Sequence, residues 1–240
     1  MFQIAKTFLL LATLPLVWAF PARSQTYNRK NPQLVVSVYN DARIPAALLS
    51  GAQAEAVKIF ARAGINLALA NCPSAPNHLG PNAASTALSA DLVRVGEQGS
   101  SGSTDQDACI QFDWPSHLAV RIVPGSAGSP NEVFGQAFLS PEGTGCYSDL
   151  YYDRAIALYA DWNVSLTDIL GSVMAHELGH LLLGSNAHAP VGIMRGRWRG
   201  EELHRAEKGS LLFTSEQAQQ MRGKLIAVHP ALAITARSDY

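Results

Sequence analysis

The chain has 240 residues, 48% of them hydrophobic and 15% charged, with a formal net charge of −1. That length and apolar content suit one domain with its own core rather than two. The near-neutral balance gives no electrostatic footing for nucleic acid or an anionic membrane surface, and no internal repeat is visible.

The first predicted element is a secretory signal peptide over 1–24. Lys6 supplies a thin positive start, and Thr7 to Ala19 is an apolar run too short to span a bilayer comfortably. Val17-Trp18-Ala19 and Ala22-Arg23-Ser24 are both candidate cleavage sites, near 19 or 24. An uncleaved interfacial anchor is the alternative. Cleavage leaves 25–240 as a single domain, secreted or periplasmic, with no stable membrane insertion; nothing in the sequence sets an oligomeric state.

Leu34 to Tyr39 is β-branched and apolar, a strand. Pro45 opens a helical pattern to about Ala63, ended by Gly64, and Ile65 to Ala70 alternates into a second strand. Strand, helix and strand at this spacing predict a βαβ unit with parallel strands. Residues 73–108 are rich in Pro, Ser, Gly and Asn and read as surface loop. His117 to Val123 is a third strand. Phe134 to Leu139 is a short fourth and Leu150-Tyr151-Tyr152 a fifth. A helix spans about 167–183, with Ser165 or Thr167 to cap it, Asp168 in its first turn and Gly184 to stop it. Residues 195–213 read as irregular and Arg-rich. Thr214-Ser215-Glu216-Gln217 opens a last helix to about Lys224 with a Thr-x-x-Gln capping box.

The three cysteines lack Cys-x-x-Cys metal spacing, and an exported chain can hold a disulfide. Cys72–Cys109 is the expected pair, since it closes the polar loop between them. Such a closure contributes roughly 3–4 kcal/mol in the chain-entropy model. Cys146 is left as a buried, inert thiol; a cysteine switch on a metal is the alternative that its place within the domain disfavours.

The chemistry concentrates in 176–194. Residues 176–188 read HELGHLLLGSNAH, with Met194 six residues on. On a helix His176 and His180 are i and i+4, so both imidazoles leave one face and can grip one metal ion. Glu177 is placed to polarise a metal-bound water. Beyond Gly184 the chain can turn back and present His188 as a third nitrogen. Three protein ligands and an open position are the catalytic zinc arrangement. A structural pair of core histidines would leave unexplained a Glu in an apolar helix, a third His past the Gly stop and the Met that follows.

This stretch resembles the metzincins, zinc endopeptidases with an extended HExxHxxGxxH motif and a downstream Met-turn, in a matrixin- or archaemetzincin-like form. The resemblance implies His176, His180 and His188 as zinc ligands, Glu177 as general base, Gly184 as the bend and Met194 as the Met-turn residue beneath the metal. The spacing departs from the family's: Gly184 stands four and His188 eight residues after His180, and Asn186 holds the usual third-ligand position. Asn is a poor ligand beside imidazole, so the turn reads as two residues longer. No Tyr stands two residues after Met194. The resemblance further implies an α+β, metzincin-like zincin fold: a twisted mixed sheet with a backing helix, an active-site helix and a C-terminal helix. Phe134, Gly135, Gln136, Ala137 and Phe138 would then be the upper-rim edge strand, able to hold an extended peptide by β-augmentation. Residues 195–213 would wall the specificity pocket, where their arginines could bind substrate carboxylates or simply form a solvated face.

The expected function is secreted, Zn2+-dependent hydrolysis of peptide bonds in a peptide or protein substrate. The alternatives are a peptidase with a Glu third ligand, Glu202 or its neighbour Glu201, a non-catalytic extracellular zinc-binding module, and a narrow hydrolase of, for instance, cell-wall peptides.

Overall fold

A computed structural model describes residues 31–73, 109, 112–125 and 133–228. The expected signal peptide at 1–24, nearly all of the 73–108 loop and the chain beyond Val228 lie outside the described residues. The architecture is α+β, a five-stranded mixed sheet with helices against it.

Strand β1 (Gln33–Asn40) feeds helix α1 (Ala46–Arg62), which returns to β2 (Asn66–Cys72) alongside and parallel to β1. Strand β3 (His117–Val123) pairs parallel with the other side of β1, and β5 (Tyr147–Tyr151) parallel with β3. Strand β4 (Gly135–Phe138) is antiparallel to β5 and ends the sheet, giving the order β2-β1-β3-β5-β4. The βαβ unit and the antiparallel edge are thus as expected, and among the described residues β4 is paired on one side only.

One face of the sheet carries Leu34, Val36, Val38, Leu118, Val120, Ile122 and Leu150 into the main core. The other packs a smaller cluster, Tyr39, Cys72, Ala119 and Tyr147, against Cys109 and Phe112. Cys72 and Cys109 are disulfide-bonded, as the loop composition suggested, and Tyr39 donates its hydroxyl to the Cys109 carbonyl at 2.5 Å.

Helix α3 (Leu166–Leu183) lies at the centre: every residue from Ile169 to Leu182 is buried. An all-round buried helix needs neighbours on all sides. The sheet and α1 supply one flank. Helices α2 (Tyr152–Trp162), α4 (Gly200–Glu207) and α5 (Ser215–Val228) supply others. No helix of the described residues is long and apolar enough to cross a membrane.

Three elements differ from the sequence reading. Strand β5 starts at Tyr147, not Leu150, because Tyr147 to Leu150 pairs on both sides, with β3 and with β4. Tyr152 leaves the strand and begins α2, which periodicity missed: only Ala155 and Leu158 are buried on it, and Tyr151 at its start offers no capping side chain. Helix α4 was hidden in the Arg-rich stretch because Gly200 opens it. Its cap comes from within, the Glu202 carboxylate accepting the Arg199 N–H at 3.0 Å. The start of α3 and the final capping box hold: Ser165 accepts from the Asp168 N–H at 3.4 Å, and Thr214 and Gln217 bond reciprocally at 2.9 and 3.3 Å.

Close approach fixes the α1–α3 contact at Gly171. A methyl group there would stand 2.6 Å from the Ala52 carbonyl oxygen, and backbone cannot swing aside. Gly171→Ala should therefore destabilise the fold by about 1–3 kcal/mol, as overpacking does. Gly223 in α5 has open space where its Cβ would be, so Gly223→Ala should stabilise by roughly 0.5–1 kcal/mol through helix propensity. Urea unfolding midpoints that shift the same way for both would contradict this packing.

Candidate metal centre and cleft

Helix α3 places His176 and His180 one turn apart, and the backbone beyond it sets their tautomers. His176 Nδ1 is 2.7 Å from the Ile193 carbonyl oxygen, and His180 Nδ1 is 2.7 Å from that of Ser185. A carbonyl only accepts, so both Nδ1 atoms carry protons and donate. Burial, with His180 and then His188 nearby, pushes the His176 imidazole down to about 3, and burial also lowers His180. Both rings are therefore neutral, and their Nε2 atoms bear bare lone pairs. These two atoms face each other at 3.0 Å. Two acceptors without a proton between them repel, so the pair is arranged for a cation rather than for each other. A second hydrogen bond that fixes the tautomer from behind is what metal-binding histidines have.

His188 completes the group. Gly184 ends α3 in the left-handed region at φ 68°, and its N–H and that of Ser185 both return to the His180 carbonyl. The chain then brings His188 back: its ring centroid is 5.4 Å from that of His176 and 5.0 Å from that of His180. One nitrogen from each of the three rings lies within 4.8 Å of the others. His188 is exposed while the helical pair is buried. Behind it stands Gly196, where a Cβ would meet the His188 ring at 2.8 Å. Three imidazoles converging on one point suit a borderline-soft divalent ion such as zinc. Asn186 lines the same cleft.

Met194 is buried against the underside of α3, where a Cβ on Gly179 would come within 2.6 Å of its sulfur. The tight turn before it uses Gly192 at φ 76°, and the Met194 carbonyl accepts from the Ala189 N–H at 2.8 Å. Ile193, between them, receives both His176 Nδ1–H and the Trp198 indole N–H, the latter at 3.3 Å.

Glu177 sits beside the imidazoles against the edge strand. A Cβ on Gly135 would lie 2.6 Å from the Glu177 carboxyl carbon, so this close approach requires glycine there. Burial, and secondarily Asp149, pushes the Glu177 carboxyl up to about 8. The cleft in front, of about 170 Å³, is lined by Phe134 to Ala137 on one side and by the three histidines on the other. Of the predicted edge residues, Phe138 lies outside this lining and stacks instead on Tyr147 at 5.2 Å.

Glu202, the third donor of the rival reading, is not in the histidine group. One carboxylate oxygen is bonded to Arg195 Nη1 and the other caps α4. Cys146 is half-buried and free, and it is not a member of the histidine group. Burial, with Asp113 adding, pushes its thiol up to about 11. Sequence reasoning missed Gly196 and Trp198 as site residues, and it placed Gly135 on the substrate edge without its contact with Glu177; the importance of all three comes from what approaches them. Trp198 stacks on Phe134 at 6.0 Å and meets His176 edge-on at 5.6 Å.

Two measurements test this geometry. His188→Ala should weaken zinc binding by more than the roughly 10–100-fold that loss of an outer hydrogen-bond partner costs, while Asn186→Ala and Glu202→Ala leave it unchanged in competition titrations. In the native protein at pH 8, a thiol at about 11 rather than its ordinary 9 carries about a hundredfold less of the reactive thiolate. Iodoacetamide should therefore label Cys146 slowly until the chain is unfolded, and rapid native labelling would contradict its burial.

No protein-family model matches the chain, and no curated protein matches it. Solved structures similar to it include two from archaeal chains. Archaemetzincin from Methanopyrus kandleri is 16% identical, over 84% of this chain and 99% of that one, with a TM-score of 0.41. A zinc-dependent peptidase from Methanocorpusculum labreanum strain Z is 17% identical, over 78% of this chain and 99% of that one, with a TM-score of 0.49.

Proposed function

We propose that this protein is an exported zinc metallopeptidase that hydrolyses peptide bonds in the cleft between α3 and β4. The observation that carries the reading is the convergence of three imidazoles, two of them with bare nitrogens 3.0 Å apart, beside a buried carboxylate. A zinc ion held by His176, His180 and His188 would supply a water of lowered pKa and polarise the scissile carbonyl.

The rest is done by the chain's own groups. Glu177 takes the proton of the attacking water and passes it to the leaving amine. Its burial keeps the carboxyl near neutrality, where a general base works best, and a neighbouring cation favours its charged form. Gly135 lets the Glu177 carboxylate lie flat against the strand. Strand β4, paired on one side with β5, offers its backbone to an extended substrate by strand addition. The fixed Nδ1–H bonds to Ile193 and Ser185 hold both imidazoles in ligating orientation through turnover. Met194 supports the histidine face from below in the role of a Met-turn. Export through the N-terminal apolar segment accords with the Cys72–Cys109 disulfide, which persists in oxidising compartments.

Glu177→Ala and Glu177→Gln should retain zinc and fold yet lose peptidase turnover by about 10²–10⁴-fold, the usual worth of a general base. Metal content by mass spectrometry and cleavage of a broad peptide library check both halves. Full activity in Glu177→Ala would defeat the mechanism. Zinc-loaded wild type that cleaves nothing would leave a binding module in place of a peptidase.

A further inference from the structure

A peptide laid along β4 uses one edge of its backbone there. Its other edge is turned toward the opposite wall of the cleft, and carbonyl oxygens enclosed on that side need donors. Among the described residues, the lining side chains with N–H groups are Gln136, Asn186, Arg195, Trp198 and the histidines. Gln136 belongs to β4 itself. His176 and His180 give their Nδ1–H to the Ile193 and Ser185 carbonyls, and Trp198 gives its indole N–H to Ile193 as well. His188 joins the metal group. Asn186 and Arg195 are therefore the side-chain donors that the segment beyond α3 offers to substrate.

Arg195 is fixed from behind. Its backbone N–H is bonded to the Gly192 carbonyl at 3.2 Å, and Gly196 after it carries the His188 ring. Its Nη1 is bonded to Glu202, whose side chain is 8% exposed against 41% for Arg195. The second Glu202 oxygen accepts the Arg199 N–H at 3.0 Å. Against the effect of burial, that N–H and Arg195 hold the Glu202 carboxyl below its ordinary range, so it is charged. The guanidinium is thus held at the cleft by a carboxylate that is bonded on both oxygens. A guanidinium has five N–H donors in a rigid fork, and one of them serves Glu202. The ion pair also decides what the others suit. A substrate carboxylate would bring a second negative charge beside Glu202, whereas a carbonyl oxygen brings none.

We infer that Arg195, braced by Glu202, binds substrate by donating to a backbone carbonyl oxygen on the peptide edge turned away from β4. The inference rests on the metallopeptidase reading above and adds to it the residue that holds the second edge. Arg195 lines the cleft of the histidines and Glu177 itself, where any scissile bond must come. Its contact reads the backbone, so it favours an extended peptide of varied sequence. The bond is present before and during attack by water, so it lowers KM without raising kcat. Glu202 touches no substrate and is a positioning residue that acts through Arg195.

The test uses zinc-loaded protein and a peptide without charged side chains, capped at both ends and drawn from those that wild type cleaves. Arg195→Met should raise KM by about tenfold or more, as loss of a hydrogen bond from a charged donor does, with kcat and zinc content near wild type. Arg195→Met with Glu202→Gln should do the same without leaving a buried carboxylate unpaired. Arg205→Gln, on α4 and paired with Glu201 at 2.7 Å outside the cleft lining, should change neither constant. Ester substitutions separate contact from a purely structural role. Each ester replaces one amide of the peptide and weakens one carbonyl acceptor. At one position wild type should lose several-fold more than the double variant does, since non-additivity marks a direct contact. Additive losses at every position overturn the inference while the peptidase stands. If a free C-terminal carboxylate tightens binding and that gain vanishes with Arg195, the bound group is a carboxylate and the carbonyl assignment fails. If nothing is cleaved, the peptidase reading fails, and the ester cycle is run as binding of capped peptides to the zinc-loaded protein, followed by the fluorescence of Trp198 in the cleft. Non-additivity at one position then supports the contact, and additive losses or no binding overturn it.

Discussion

Two unprotonated imidazole nitrogens 3.0 Å apart inside a helix buried on every side set the terms for the rest of the molecule. Buried polar groups are tolerated only when partnered, and a buried carboxylate is costlier still. Each neighbouring element answers that demand. The turn before Met194 turns the Ile193 carbonyl toward His176, and the exit from α3 turns the Ser185 carbonyl toward His180. Gly135 lets the edge strand cover Glu177, and Gly179 lets Met194 fill the space under the helix. The apolar residues around α3 make the core, while the polar ones dictate where backbone must come close.

The far end of the same helix is held as firmly. Its last carbonyls lack intrahelical partners, as at any helix C-terminus. The Leu181 carbonyl accepts the Trp114 indole N–H at 3.0 Å, and that of Leu183 accepts Lys224 Nζ at 2.8 Å and Gln220 at 3.4 Å. The Lys224 ammonium also lies over the Trp114 ring and favours the negative end of the helix. Gly143, from the β4–β5 connection, comes so near that a Cβ on Gly184 would stand 2.5 Å from its carbonyl oxygen. Segments from the β3 approach, the β4–β5 turn and α5 thus meet at one point. The histidines are therefore carried by the best-anchored element of the fold, which is where a preorganised centre belongs.

What was legible in the sequence had a short-range cause. The i, i+4 spacing of His176 and His180, the Gly184 stop, the Ser165 cap and the β-branched runs of β1 and β3 each state their geometry locally. Helix α2 was not legible because just two of its residues face the core, and α4 because it begins on a glycine and is capped by its own third residue. Glu202 stands apart from the histidines because Arg195 and the Arg199 N–H claim its oxygens, a contact that no spacing announces. Gly196 reads as an ordinary glycine until His188 is placed against it, and Gly135 as one edge-strand residue among five until Glu177 is placed against it.

The connection from His180 to His188 separates a rigid requirement from a loose one. The first two rings are bound to the helical period, and a change of one residue between them would turn one ring to another face. The third arrives on a connection whose closure cost grows only with the logarithm of its length. Its landing point is fixed from elsewhere, by the bare patch of Gly196 on which the His188 ring rests. Residues can accordingly be added to that connection at little expense, so the count between second and third histidine is a weak signature of such centres. Where the third ring comes to rest is the stronger one.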